Sequence, residues 1–177
     1  MAVNITPDIT DPNAVYEAFF DKLEQDDEFF AYYGIDEDHA MQLAKERAQT
    51  YLRSAIAELG RRTAIDFDLS LVQDEETGET VFAEPITDAE VDVLSELMLL
   101  KYYERGLAKL RPKINAFSAS ELRLLHSPAN ERTSYVTMLK DFREHIRVVV
   151  SRYAGRSRND FKRRLVDTTI PDTVDDE

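Results

Sequence analysis

"PITDAEVDVLSELMLLKYYERGLAKLRP", residues 85–112, sets the fold class of this chain. Thr87 and Glu90 form a capping box, in which two side chains satisfy free backbone N–H groups at the start of a helix. Apolar residues then recur at helical spacing, as on the buried face of a helix. They are Val91, Leu94, Leu97 and Met98. The stretch predicts a long, buried helix that ends near Arg111, because Pro112 disfavours its continuation.

Residues 127–155 predict a second long helix. Ser127 is placed to cap it, and Pro128 occupies its first turn, where a missing N–H costs nothing. Gly155 is its natural end. An apolar stripe runs along about seven turns of this helix. Its members are Tyr135, Met138, Leu139, Phe142, Ile146, Val149, Val150 and Tyr153.

The first third of the chain predicts two more helices. Asp11 and Pro12 begin a short one, and Asp36 caps a longer one that Gly60 ends as a left-handed residue. The longer helix has an apolar stripe of Met41, Ala44, Ala48, Tyr51 or Leu52, Ala55 and Leu59. Aromatic residues at 29–33 are predicted to close a corner of the core. The alternative, that some of them face a neighbouring subunit, stays open.

A β-hairpin is predicted at about residues 64–84, because apolar residues recur at every second position over 65–71 and a polar stretch then leads to Val81 and Phe82. Gly78 lies in its turn. The apolar members are Ile65, Phe67, Leu69, Leu71, Val81 and Phe82. Because an isolated two-stranded hairpin is only marginally stable, it needs support from the protein's own helices or from another copy. Both alternatives stay open.

These patterns predict a mainly α fold, a small helical bundle with one β-hairpin insertion and an extended C-terminal tail. Residues 1–12 form an N-terminal arm, residues 13–155 the helical domain, and residues 156–177 a tail that docks on a partner.

Composition excludes several classes of protein. The chain has 177 residues, of which 43% are hydrophobic, so it can bury a core. It has no cysteine, and therefore no disulfide and no thiolate site. The sequence contains no apolar run long enough to span a bilayer, and the first 20 residues do not resemble a signal peptide. We expect a protein made in the cytoplasm and without a membrane partner.

The charge is unevenly distributed. The formal net charge is -13, yet nine Lys or Arg and only three acids lie between Lys140 and Arg164. Such a split favours contact between copies, or docking of a basic arm on an acidic partner. A solvated helix face is the other interpretation.

No catalytic motif is present in the sequence. His39, His126 and His145 lack metal-ligand spacing, the glycines form no phosphate-binding loop, and no serine lies in a nucleophile elbow. We therefore predict no catalytic residue, no metal and no cofactor, and a protein that is not an enzyme.

Residues 40–155 resemble the head-tail connector, or adaptor (head-completion), proteins of tailed bacteriophages. The resemblance is carried by "LLKYYERGLAKLRPKI", then "SPAN" at 127–130, and then a long amphipathic helix with a basic tail. It implies a structural virion protein at the neck. Such proteins form a ring, usually dodecameric, below the portal, and the packaged DNA passes through the ring without sequence-specific binding.

The resemblance also implies partners and contact residues. The C-terminal segment would bind the portal protein, and the opposite face would receive the next neck or tail-completion (stopper) protein. The portal-binding residues would be Arg152, Arg156, Arg158, Phe161, Lys162, Arg163, Arg164 and Leu165. Subunit contacts or the channel lining would involve Ile65, Phe67, Asp74, Glu75, Glu76, Val81 and Phe82.

Two alternatives come from other functional classes. One is a bacterial or phage regulatory adaptor whose basic arm binds nucleic acid or an acidic partner; salt-sensitive DNA binding would favour it. The other is a helical enzyme without a recognised motif, which a buried polar cluster in a closed pocket would support.

Overall fold

The computed structural model describes residues 7–23, 27–30, 32, 34–63, 65–116, 128–158 and 162. The fold is mainly helical with a small two-stranded antiparallel sheet, as the sequence predicts. The helices are α1 (Asn13–Lys22), α2 (Asp27–Phe30), α3 (Glu37–Arg62), α4 (Asp88–Ala116) and α5 (Pro128–Ala154), and the strands are β1 (Leu71–Gln73) and β2 (Thr80–Phe82).

Helix α4 is the element that α1, α3 and α5 share, since each of them packs against it. Its first turn contains one half of the predicted capping box: the backbone N–H of Thr87 donates to Glu90 Oε2 at 2.7 Å. The other half is absent, because the Thr87 hydroxyl donates to the same carboxylate and the Glu90 N–H donates to the Thr87 carbonyl. Its buried side chains form the centre of the core. They are Val93, Leu94, Leu97, Met98, Leu99 and Leu100.

The prediction that α4 ends at Pro112 is wrong, because the helix continues to Ala116. Proline removes only its own N–H from the hydrogen-bond pattern, and it strains the turn before it rather than the turn after it. A helix can therefore extend about one turn beyond a proline near its end.

Helix α3 begins as predicted, with the carboxylate of Asp36 accepting a hydrogen bond from the backbone N–H of His39 at 3.1 Å. The predicted end at Gly60 is wrong, because Gly60 remains helical and α3 runs to Arg62. Thr63 ends the helix instead: its N–H and its hydroxyl both donate to the Leu59 carbonyl. The ion pair of Arg62 with Glu58 at 2.7 Å supports the added turn.

Helix α5 begins at Pro128 and ends one residue before Gly155, as the sequence predicts. Ser127, its predicted cap, lies outside the described residues. The stripe buries Leu139, Ile146 and Val150, whereas Met138 is exposed.

The hairpin is shorter than predicted, because only residues 71–73 and 80–82 pair as strands. Burial still alternates before β1, with Ile65, Phe67 and Leu69 directed toward the core and the intervening residues exposed. Gly78 has a positive φ of 70° in the turn, as predicted.

The chain itself supports the hairpin. Phe82 is 2% exposed within the core, and its N–H donates to the Thr10 carbonyl at 2.9 Å. Ile9 and Ile86 exchange two backbone hydrogen bonds, at 3.1 and 2.8 Å. Of the two alternatives for support, the structure therefore contains the intramolecular one.

The aromatic residues near position 30 pack in the core, as predicted for the described ones. Phe29 is fully buried, and Phe30 and Tyr32 pack against the core. The Phe29 ring contacts Phe19 edge-on with centroids 5.6 Å apart, an arrangement that aromatic pairs favour. Tyr33 lies outside the described residues.

Replacing Gly106 with alanine tests the packing of α5 on α4. A Cβ at this position would lie 2.4 Å from the Tyr135 hydroxyl, which donates to the Tyr103 carbonyl at 2.8 Å. We expect Gly106→Ala to lower the free energy of unfolding by about 1 kcal/mol, because the displaced tyrosine loses its hydrogen bond. In a Tyr135→Phe background the clash disappears, and alanine should instead stabilise the helix by about 1 kcal/mol. Urea unfolding of the four proteins measures this coupling; equal effects of Gly106→Ala in both backgrounds would contradict the contact.

Asp74 makes the hairpin turn sensitive to acid. Its carboxylate accepts hydrogen bonds from the backbone N–H groups of Thr77 and Glu76, at 2.9 and 2.8 Å, and these bonds lower its pKa. The stability that the carboxylate contributes is therefore present at neutral pH and is lost as the pH falls through the lowered folded pKa.

We expect Asp74→Asn to be less stable than wild type at neutral pH, with a difference that shrinks in acid. Unfolding curves at several pH values measure this. Glu75→Gln is the matched control, since it removes a charge from the same turn without affecting those two N–H groups. A difference between wild type and Asp74→Asn that does not change with pH would argue against this role.

Candidate functional site

The start of α4, the end of α5 and the segment before the hairpin meet around one carboxylate, that of Glu90. This side chain is 0% exposed. Because a buried carboxylate is stable only when it is paired and hydrogen-bonded, the groups around it define a site.

Five donor contacts surround the Glu90 carboxylate. Oε2 accepts from the Thr87 N–H at 2.7 Å, from the Thr87 hydroxyl at 3.0 Å and from Arg158 Nη2 at 3.3 Å. Oε1 accepts from the Tyr153 hydroxyl at 2.8 Å and from Arg158 Nε at 2.9 Å. Both oxygens are therefore satisfied. Oε1 accepts only from Tyr153 and Arg158, which are both more than 60 residues from Glu90 in sequence.

Arg158 is held from three directions. Its guanidinium pairs with Glu90, donates to the Pro85 carbonyl, and lies 3.5 Å from the centroid of the Phe67 ring. Its side chain is only 18% exposed. Guanidinium groups suit such a place, because they combine planar bidentate hydrogen bonding with stacking on an aromatic face.

Tyr153 acts as a hydrogen-bond donor in this arrangement. Burial raises the pKa of its phenol strongly, and the nearby negative charge of Glu90 raises it further. The hydroxyl therefore stays protonated across the ordinary range of pH and donates a hydrogen bond to Glu90. We call the four side chains of Thr87, Glu90, Tyr153 and Arg158 the Glu90 junction.

A small pocket borders the junction, and its lining includes Ile65, Phe67, Tyr153 and Arg156. Within the described part of the chain, no buried side-chain nitrogen or oxygen lacks a hydrogen-bond partner. The junction is thus an internal cross-link whose polar groups satisfy one another.

A second polar cluster links α1, α4 and α5. Lys22 Nζ lies 3.1 Å from Asp92, 2.9 Å from the Ser95 hydroxyl and 2.9 Å from Glu96. The other oxygen of Glu96 lies 3.8 Å from His145 Nε2. The described residues contain no group of three or more acids and histidines that could hold a metal ion.

The structure separates the predicted portal-binding residues into three groups. Arg152, Arg156 and Lys162 are exposed. Arg158 is directed into the Glu90 junction, so its guanidinium is engaged within the chain rather than presented on the surface. The remaining predicted residues, Phe161, Arg163, Arg164 and Leu165, lie outside the described residues.

The predicted subunit or channel residues also separate. Phe82 is part of the chain's own core, and Phe67 lies under Arg158, so these two rings already have intramolecular partners. Ile65 and Val81 are half-buried. At the hairpin turn, Glu75 and Glu76 are exposed, and the Asp74 carboxylate caps the turn.

The basic charge of α5 is partly neutralised within the fold. Arg143 pairs with Glu104 at 2.9 Å, and Arg147 pairs with Glu144 at 2.6 Å. Among the residues that the structure describes, Lys140, Arg152 and Arg156 have exposed side chains that make no ion pair. The last two lie where α5 passes into the C-terminal segment.

Sequence reasoning identified Glu90 as a capping residue and missed its second role. Arg158 lies 68 residues away, and no local pattern relates the two positions. The only signal was indirect: a predicted first-turn glutamate and a run of cations that needed partners.

No protein-family model matches this sequence, and comparisons with curated proteins and with solved structures find no similar protein. In the part of the chain that the structure describes, no helix is both long and apolar enough to cross a membrane.

Tyr153→Phe measures the contribution of one junction hydrogen bond. We expect a loss of about 1.5–3 kcal/mol in the free energy of unfolding, because the buried carboxylate loses a donor. Tyr135→Phe is the matched control: its hydroxyl donates to an uncharged backbone carbonyl, so it should cost only about 0.5–1.5 kcal/mol. Chemical denaturation measures the free energy of unfolding of both variants. If Tyr153→Phe lost no more than Tyr135→Phe, the result would contradict a hydrogen bond from Tyr153 to a charged acceptor.

Proposed function

We propose that this chain is a head-tail connector protein of a tailed bacteriophage, in which copies form a ring below the portal. The ring extends the DNA channel and provides the attachment site for the next neck or stopper protein. The protein is made in the host cytoplasm, acts in the virion, and has no catalytic role and no cofactor.

One observation carries the proposal. Arg152 lies in the last turn of the long helix α5 and Arg156 lies two residues after its end; both are exposed, and neither has an acidic partner among the described residues. A helix with a packed inner face and an unpaired cationic end can present charge to an acidic protein surface. The portal protein is the partner that the sequence resemblance implies.

The charge balance fits a channel. The chain as a whole has a net charge of -13 although the stretch from Lys140 to Arg164 is basic. An acidic wall repels phosphates and lets a duplex slide, so the DNA partner needs no specific contact. Glu75 and Glu76 at the hairpin turn are exposed acids that can take part in such a wall.

Charge reversal at the end of α5 tests the proposal. We expect Arg152→Glu with Arg156→Glu to weaken binding to the portal protein of the same phage by at least about tenfold, with the largest effect at low salt. The matched control is Lys140→Glu, which reverses another exposed cation on the same helix, about 18 Å before Arg152. Light scattering of each protein, alone and mixed with portal rings, gives the mass and the number of copies bound.

The outcomes distinguish the proposal from the alternative. Many copies added to each portal ring by wild type and by Lys140→Glu, but not by the double variant, would support it. If wild type does not bind portal rings, the connector proposal is wrong. Salt-sensitive binding of wild type to duplex DNA, lost in the double variant, would support the regulatory adaptor instead.

A further inference from the structure

We infer that Glu90 and Arg158 form a latch that holds the start of the C-terminal segment on the domain and thereby orients the segment for its partner. The latch is an internal feature of the chain. The orienting role rests on the proposed function, since the partner is the portal protein proposed above.

The geometry leaves Arg158 few alternatives. It lies four residues after the end of α5, yet its guanidinium reaches both oxygens of Glu90, the Pro85 carbonyl and the Phe67 ring. A planar fork held by three acceptor oxygens and one aromatic face has essentially one orientation. The backbone at Arg158 therefore has a fixed position relative to α4 and to the segment before the hairpin.

The backbone before and after Arg158 is also hydrogen-bonded. The N–H of Arg156 donates to the Tyr153 carbonyl at 3.1 Å, and the N–H of Ser157 donates to the Lys162 carbonyl at 2.7 Å. The chain thus turns directly out of α5, and the side chain of Arg158 fastens that turn to the domain.

The latch stays closed because opening it is unfavourable. Glu90 is fully buried, so releasing Arg158 leaves a buried carboxylate with only Thr87 and Tyr153 as donors and with no countercharge. A partner that opened the latch would have to replace that cation. A partner that contacts the exposed Arg152 and Arg156 can bind while the latch stays closed, with residues 156–158 already held in position.

Order before binding has a measurable effect on affinity. When only a fraction of molecules has the binding-competent arrangement, the apparent affinity falls by that fraction. Loosening the latch should therefore weaken partner binding even though Arg158 itself does not contact the partner. This makes Arg158 a positioning residue.

Hydrogen exchange on the full-length protein tests the latch without any partner. We expect Arg158→Gln to speed exchange of the Arg156 and Ser157 amides by at least about tenfold, while Ile146 in the middle of α5 keeps its wild-type protection. Arg158→Lys retains the charge but not the forked guanidinium, so its exchange rates at these two amides should lie between those of wild type and Arg158→Gln. Arg147→Gln is the matched control, because it breaks the exposed pair with Glu144 on the same helix.

Two exchange results would overturn the latch: Arg156 and Ser157 amides that are unprotected in wild type, or amides that remain equally protected in Arg158→Gln. Glu90→Gln is a second variant that removes the countercharge and leaves Arg158 in place. If Glu90→Gln folds, exchange at the Arg156 and Ser157 amides should speed up as in Arg158→Gln. If it does not fold, Arg158→Gln alone tests the latch.

Portal binding separates the latch from the proposed function. Weaker binding by Arg158→Gln in proportion to its faster exchange, with Arg147→Gln unchanged, supports the orienting role. Faster exchange with unchanged affinity overturns that role and leaves the connector proposal intact. If wild type itself does not bind portal rings, the connector proposal and the orienting role both fail, and the exchange data alone decide the latch.

Discussion

A buried negative charge is the constraint on which the rest of this fold depends. Glu90 begins as a local feature, the third helical residue of α4 in a capping box with Thr87. Because it is fully buried, the fold must also bring it a cation and a further donor; Tyr153 in the last turn of α5 and Arg158 just after that helix provide them. The start of one long helix and the end of the other are therefore fixed at the same point.

Away from that point, the bundle is held by the side chains of α4 and by aromatic packing. Tyr102 on α4 contacts Phe29 and Tyr51 edge-on, with ring centroids 5.6 and 6.0 Å apart, and so connects α4 to α2 and α3. Tyr103, the next residue, contacts Phe142 on α5 in the same manner at 5.7 Å. Two consecutive tyrosines thus contact different elements: Tyr102 contacts α2 and α3, and Tyr103 contacts α5. This explains how a single helix packs against elements on two sides.

The sequence predicted the features that depend on nearby residues. The cap at Asp36, the bond from the Thr87 N–H to Glu90, the start of α5 at Pro128 and the alternation before β1 are all confirmed, because each follows from a few adjacent side chains. The sequence-based predictions failed where distant contacts or opposing local preferences determine the end of a helix. Pro112 and Gly60, the two predicted helix ends, both remain inside helices. The site was only half predicted: a capping pattern identifies Glu90, whereas its pairing with Arg158 is a property of the folded chain.

The pairing of residues far apart in sequence has a consequence for synthesis. A ribosome makes the chain from its N-terminus, so Glu90 emerges long before the arginine that neutralises it. A nascent chain that ends before residue 158 contains the described helices but has no cation for the carboxylate that they enclose. Completion of the domain is therefore delayed until residue 158, which is 68 residues after Glu90, has left the exit tunnel.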